Sequence, residues 1–206
     1  QVMQGVFQGV GQAIFNTVKS GISAAVDEIG KAVQKSSDLS ETVNKVGVLF
    51  GQNAKAVLDF ADTADTALGQ SKQSALDAAA TFATFGRAAG LSGESLVKFS
   101  TDFVGLASDL ASFNNTSPEE AITAIGAALR GESEPLRRYG VLLDDATLRQ
   151  KALQLGIVAT TDQALTPQQR VLAAQVAIYE QTAAAQGDFA RTSTGLANAQ
   201  RILAAE

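Results

Sequence analysis

The sequence of 206 residues predicts an all-α fold, and three observations lead to that prediction. Alanine is abundant, runs of β-branched residues are scarce, and glycine recurs where stretches of helical periodicity end. Hydrophobic residues make up 46% of the chain, which is enough to form a core. We expect one long N-terminal amphipathic helix over residues 1–36, followed by a module of several short, glycine-terminated helices over residues 37–206.

The first predicted element is a helix with an uncharged polar stripe. Residues 1–18 carry no charge, and their amides recur every four residues, a spacing that aligns them on one side of a helix. Two interpretations stay open. The helix packs against copies of itself or against the rest of the protein, or it is membrane-active and several copies line a polar pore. The candidate residues are Gln4, Gly5, Gln8, Gly9, Gln12 and Asn16.

Four further helices are predicted between residues 39 and 110. Helices over 39–50 and 53–68 are separated by Gly51, a third begins after Ser71, and a fourth begins after Ser92. Gly69 and Gly90 end the second and third. The third and fourth carry phenylalanines at helical spacing, which we assign to the core rather than to a ligand platform. These are Phe82, Phe85, Phe99 and Phe103.

Three short helices are predicted between residues 109 and 157. Ser117, followed by Pro118 and Glu120, has the form of a capping box in which the glutamate side chain returns to the backbone N–H of the cap. This helix ends at Gly131, and a short piece over 135–139 ends at Gly140. Asp144 or Asp145 caps the third helix, which ends at Gly156. The apolar stripe of the third helix is Leu148, Ala152, Leu153 and Leu155.

The last two predicted helices begin after Thr166 and at Phe189. Thr166, Pro167 and Gln169 repeat the pattern of cap, proline and side-chain acceptor, and the helix runs to about residue 183. Gly187 bends or ends it. The final helix covers 189–205. Its apolar residues are Leu196, Ile202 and Leu203.

Basic and acidic side chains are interspersed between residues 130 and 149. One interpretation is intramolecular pairing that fixes the short helices against each other, although exposed pairs contribute only about 0–1 kcal/mol each. The other is a docking patch for a neighbouring subunit. The candidate docking residues are Arg130, Arg137, Arg138 and Arg149.

Composition argues against most kinds of catalytic site. The chain contains no cysteine and no histidine, so disulfides, thiolate or imidazole metal sites, and Ser-His or Cys-His nucleophiles are excluded within it. The net charge of −5 and the lack of a basic face argue against sequence-specific nucleic-acid binding. We therefore expect that the chain is not an enzyme and that it binds no cofactor and no metal ion. Catalysis would require groups from outside these residues.

Five runs of sequence, in a fixed order between about residues 36 and 203, resemble the tail tape measure proteins of long-tailed, siphovirus-like bacteriophages. The runs are L-G-Q-S-K-Q-S-A-L-D-A-A (68–79), A-L-R-G-E-S-E-P-L-R-R-Y-G (128–140), K-A-L-Q-L-G (151–156), L-T-P-Q-Q-R (165–170) and Q-G-D-F-A-R-T-S (186–193). The resemblance brings no catalytic residue with it. Because the chain opens with Gln1 and its helical pattern continues to Glu206, we interpret it as an internal fragment.

The resemblance implies a structural role in the virion. Tape measure proteins lie as homo-oligomers inside the tail tube, where three-fold packing is expected, and set tail length with tube proteins, tip proteins and assembly chaperones. They are in the host cytoplasm during assembly and reach the host envelope when the genome is ejected. Repeated helix breaks after residue 37 favour an anchor or plug over the rod-like ruler. The alternative function is a pore-forming or membrane-remodelling protein at the host envelope, for which the polar stripe is the evidence.

Overall fold

A computed structural model describes Gln34 and residues 37–206. Those residues form α-helices and two short 3-10 helices, with no strand among them, which confirms the all-α class for the described part of the chain. The predicted long helix over 1–36 lies outside the described residues, apart from Gln34. The chain divides into two compact units, Gln1–Glu41 and Thr42–Glu206, and the elements below belong to the second.

The described residues of the second unit contain ten α-helices, numbered in chain order. They are α1 (residues 42–50, following a helical stretch that begins at 37), α2 (Ala54–Ala61), α3 (Ala64–Leu68), α4 (Lys72–Ala88), α5 (Gly93–Asn114), α6 (Pro118–Arg130), α7 (Asp145–Gln154), α8 (Pro167–Gln181), α9 (Asp188–Thr192) and α10 (Leu196–Ala205), with 3-10 helices at Gly51–Asn53 and Glu134–Tyr139.

The core is centred on the packing of α4 against α5. The inner face of α4 is mostly alanine, and its small side chains leave room for the rings of α5. Phe103 is fully buried, and its ring centroid lies 5.0 Å from that of Phe99 and 5.3 Å from that of Phe82. Helices α6 and α8 pack on this pair. The core assignment is confirmed for Phe82, Phe99 and Phe103, whereas Phe85 is half-buried.

Glycines end the helices where the sequence predicts it. At Gly69 the backbone has φ of +62°, and a Cβ placed there would lie 2.8 Å from the ring of Phe189, so both the conformation and the space require glycine. The other glycines predicted to separate or end helices have positive φ as well. They are Gly51, Gly90, Gly131, Gly140, Gly156 and Gly187.

Side-chain caps hold the N-termini of four helices. Ser71 and Asp144 cap α4 and α7, and Thr166 and Gln169 form a complete capping box on α8. Ser117 caps α6 by accepting from the backbone N–H of Glu120 at 3.2 Å. The second bond of the predicted capping box, from the backbone N–H of Ser117 to the Glu120 carboxylate, is wrong. That carboxylate instead accepts a hydrogen bond from Arg138 at 2.6 Å.

Two predicted helices are each divided in two. The helix over 53–68 stops at Ala61 and restarts at Ala64, and the hydroxyl of Thr63 donates to the Phe60 carbonyl at 3.2 Å, a local bond that competes with helix continuation. The helix over 189–205 is interrupted before Leu196 by Gly195, which has an extended conformation. Neither break was predicted.

Part of the predicted apolar stripe of α7 is exposed. Leu148 and Ala152 are buried as expected, but Leu153 and Leu155 expose 40% and 44% of their surface. The helix ends at Gln154, so Leu155 already lies outside the regular turn that carries the stripe. Leu153 lies within the helix, but at five residues from Leu148 it is about 140° away around the axis and was wrongly assigned to the buried side.

Replacing Phe103 by alanine should lower the free energy of unfolding by about 3–5 kcal/mol, because the cavity lies among rings that cannot collapse together. Phe113→Ala is the matched control, since Phe113 lies on the same helix and is 54% exposed. Urea titrations followed by circular dichroism measure both. Equal destabilisation by the two variants would contradict the assignment of Phe103 to the centre of the core.

Candidate functional site

The N-terminal candidate residues lie outside the part of the chain that the structure describes. They are Gln4, Gly5, Gln8, Gly9, Gln12 and Asn16.

The four candidate docking arginines all have carboxylate partners within the chain. Only Arg138 joins two elements: its Nη1 lies 2.6 Å from Oε2 of Glu120 and ties the second 3-10 helix to α6. The other three pairs are local in sequence, at 2.6–3.3 Å. They are Arg130 with Glu132, Arg137 with Glu134 and Arg149 with Asp145. Intramolecular pairing is therefore observed for all four. Arg130, Arg137 and Arg138 remain about half exposed, whereas Arg149 is 28% exposed and also donates to the carbonyls of Thr161 and Asp162.

Helices α7 and α8 are joined by ion pairs at the surface. Asp145 binds Arg170 at 2.5 Å and Arg149 at 2.6 Å, and the Arg170 guanidinium holds the pKa of this carboxyl below its usual value. Lys151 and Glu180 make a second link, at 2.5 Å. Such exposed pairs fix geometry more than they stabilise the fold.

A carboxylate on α5 holds the start of α9. Asp109 accepts hydrogen bonds from the backbone N–H groups of Gly187 at 2.7 Å and Phe189 at 3.1 Å. Burial raises the pKa of Asp109, and the two N–H donors and Arg191 oppose that rise. The ring of Phe189 is buried beside this contact.

Five side chains attach α9 and α10 to the end of α5, and we call them the α10 polar network. Asn198 is at its centre with 3% exposure, and its amide nitrogen donates to the Ser112 hydroxyl at 2.8 Å and to the Thr192 hydroxyl at 2.9 Å. Its oxygen accepts from Arg201, which also donates to the Thr116 carbonyl at 2.9 Å. The members are Ser112, Asp188, Thr192, Asn198 and Arg201.

Sequence reasoning missed this network. The run Q-G-D-F-A-R-T-S supplies Asp188 and Thr192, but nothing in the run indicates that Ser112, 76 residues away from Asp188, completes it. An asparagine between alanines on α10 was the available signal, because an isolated amide in a small-residue helix often has a buried partner.

Two buried polar groups lie near the centre of the core. Gln70 is 2% exposed and donates to the Ser108 hydroxyl at 2.7 Å and the Val104 carbonyl at 3.3 Å. Its carbonyl oxygen and the Tyr179 hydroxyl are buried without a hydrogen-bond partner in the described residues. Burial raises the pKa of the Tyr179 phenol, so the group stays neutral and is no candidate nucleophile.

Three adjoining depressions surround the N-terminal half of α6, and Glu119 lines all of them. Their volumes are about 460, 410 and 310 Å³. The largest of the three has Asp77 and Thr81 of α4 on one wall and Glu119 and Thr123 of α6 on the other. In the same depression the Ser74 hydroxyl donates to the Glu119 carboxylate at 3.3 Å.

The described residues contain no group of three or more carboxylate, histidine or cysteine side chains able to hold a metal ion. Among the same residues, no helix is long and apolar enough to cross a bilayer. No protein-family model, no curated protein and no solved structure matches the chain.

Replacing Asn198 by alanine should detach α10 locally. The change removes the hydrogen bonds that the Asn198 side chain makes with Ser112, Thr192 and Arg201, at a cost of about 2 kcal/mol, so amides of α10 should exchange with deuterium roughly 30-fold faster. Asn44→Ala, at an exposed position on α1, is the control and should leave exchange in α10 unchanged. Unaltered exchange of α10 in Asn198→Ala would show that the network does not hold this helix.

Asp109→Asn should change the pH dependence of stability. Because the pKa of Asp109 is raised on folding, the native state binds the proton more tightly, and stability is lost as the pH rises from about 3.8 through the folded pKa. The variant lacks that loss, so its unfolding free energy relative to the wild type should increase between acidic and neutral pH. Denaturant titrations across this range measure the difference, and a decrease would contradict burial as the dominant cause.

Proposed function

We propose that this chain is part of a bacteriophage tail tape measure protein, acting inside the tail tube in length determination, tube assembly and genome ejection. The observation that carries the proposal is the ordered set of five sequence runs between Leu68 and Ser193 that resembles those proteins. In the proposed state the chain is a homo-oligomer, with three-fold packing, that contacts tube proteins, tip proteins and assembly chaperones. It has no catalytic role.

The positions of the runs support a shared folded module. Each run includes an end of at least one helix. The runs cover the end of α3 and start of α4, the end of α6 with the 3-10 helix, the end of α7, the start of α8, and α9. Four of the runs contain a glycine with positive φ at the junction, a conformation that few other residues adopt, so related chains would be expected to keep glycine there.

The dimensions of the second unit favour an anchor over a ruler. Its longest helix, α5, has 22 residues and measures about 33 Å at 1.5 Å per residue. As one continuous helix, the roughly 165 residues of Thr42–Glu206 would measure about 250 Å. A folded module contributes only a small part of that length. Its proposed role is therefore to anchor one end of the assembly, while helices elsewhere in the polypeptide set the length of the tail.

The test uses the phage that encodes this chain, with two changes and tail length measured by electron microscopy. Deletion of Thr42–Glu206 should give absent or irregular tails, because the anchor is lost. Phe103→Ala disrupts the same module without altering the residue count, and it should give the same defect at elevated temperature. Uniform tails shortened by about 250 Å on deletion, with normal tails in Phe103→Ala, would show that the segment measures length. Normal tails in both would refute the tail assignment.

A further inference from the structure

Helix α10 buries little apolar surface. Among its residues Asn198 is the one that is buried, and Ile202 is partly exposed. Leu196 and Leu203 expose 77% and 73% of their surface. A surface helix is ordinarily held by an apolar side that faces the core, and most helical stability in proteins comes from that packing. The attachment of α10 therefore depends on its polar side chains.

Two side chains of the α10 polar network hold this helix. The Asn198 amide donates to the hydroxyls of Ser112 and Thr192, and the Arg201 guanidinium donates to the Thr116 carbonyl at 2.9 Å. Water replaces such partners when the helix moves away, so each bond contributes only a small net free energy to the closed state. Opening of α10 is consequently cheaper than unfolding of the α4–α5 core.

The preceding helix is attached more firmly. Phe189 of α9 is 2% exposed and its ring lies against Gly69, while Asp109 accepts hydrogen bonds from the start of α9. The two helices are separated at Gly195, where the backbone is extended and the helical hydrogen bonding is interrupted. Glycine absorbs changes of φ and ψ at little steric cost, so Gly195 is suited to act as a hinge between a fixed α9 and a movable α10.

We propose that α10 is a strap that opens and closes as one unit about Gly195 while α9 stays on α5. In the closed state Arg201 and the end of α10 form one wall of the depression of about 310 Å³, and Ser71 and Ser117, the caps of α4 and α6, lie in its other walls. Opening removes that wall. The strap thus controls access to the first turns of α4 and α6.

The positions of the two attachments favour opening as a unit over fraying from one end. Asn198 is the third residue of α10 and Arg201 the sixth, so both lie within the helix rather than at its last turn. An isolated helix of ten residues is marginally stable in water, so α10 unwinds once both attachments are released. Its hydrogen-bonded amides then share one opening equilibrium. The proposal does not rest on the tail assignment.

Hydrogen exchange of the intact chain, measured by NMR over a series of low urea concentrations, tests the strap. The hydrogen-bonded amides of α10 should share one protection factor, at least about tenfold below those of Phe189 and Arg191 in α9. Their protection should depend little on urea, because opening exposes little surface, whereas the amides of α5 should depend on it steeply. Protection equal to that of α9, or protection that rises steadily from Ala205 towards Ala199, would overturn the proposal.

Arg201→Gln tests the attachment itself, because the shorter side chain no longer reaches the Thr116 carbonyl. Protection of α10 should fall about five-fold, and protection of α9 should not change. Arg87→Gln, which removes an exposed arginine from α4, is the charge-matched control and should leave both helices as in the wild type. An unchanged α10 in Arg201→Gln would refute the polar attachment, and an equal fall in α9 would show that the two helices open together.

Discussion

The close contact between α4 and α5 is the constraint on which the rest of the structure depends. The short alanine side chains of α4 allow α5 to approach its backbone. At Gly86 the approach is so close that a Cβ would lie 2.7 Å from Leu96 and 3.0 Å from Phe99. The rings of α5 fill the space that the alanines leave, and α6 and α8 then cover the pair. Small and large side chains thus alternate across one interface, which allows a chain with few aromatic residues to form a compact core.

The outer helices are attached in a different way. Asp109 and the α10 polar network hold α9 and α10 on the end of α5 through hydrogen bonds, and ion pairs join α7 to α8. Buried apolar side chains accompany these bonds on α7, α8 and α9, where Leu148, Ile178 and Phe189 are all buried. On α10 the one buried side chain is that of Asn198, and Leu196 and Leu203 are exposed.

Local signals in the sequence predicted the helices well, and signals that depend on distant residues were missed. Gly131, Gly140 and Thr166 act on their own neighbours, so their effect follows from composition and spacing alone. Glu120 fits a capping box equally well, yet Arg138, 18 residues later, takes its carboxylate instead. Leu196 and Leu203 have the spacing of a core stripe, and only the buried partners of Asn198 reveal that the opposite side of the helix faces the protein. The periodicity of a sequence shows that the two sides of a helix differ in polarity. Which side is buried depends on the rest of the fold.

Two glycine substitutions test whether the α4–α5 contact sets the fold. Gly86 and Gly105 both lie inside helices, where alanine ordinarily stabilises by about 0.5–1 kcal/mol. A Cβ at Gly105 meets nothing within 4 Å, whereas one at Gly86 meets the buried side chains of Leu96 and Phe99. We expect opposite signs in urea unfolding: Gly105→Ala raises the free energy of unfolding and Gly86→Ala lowers it. Equal stabilisation by the two variants would show that α4 and α5 have space for a methyl group between them, and that their close contact does not set the fold.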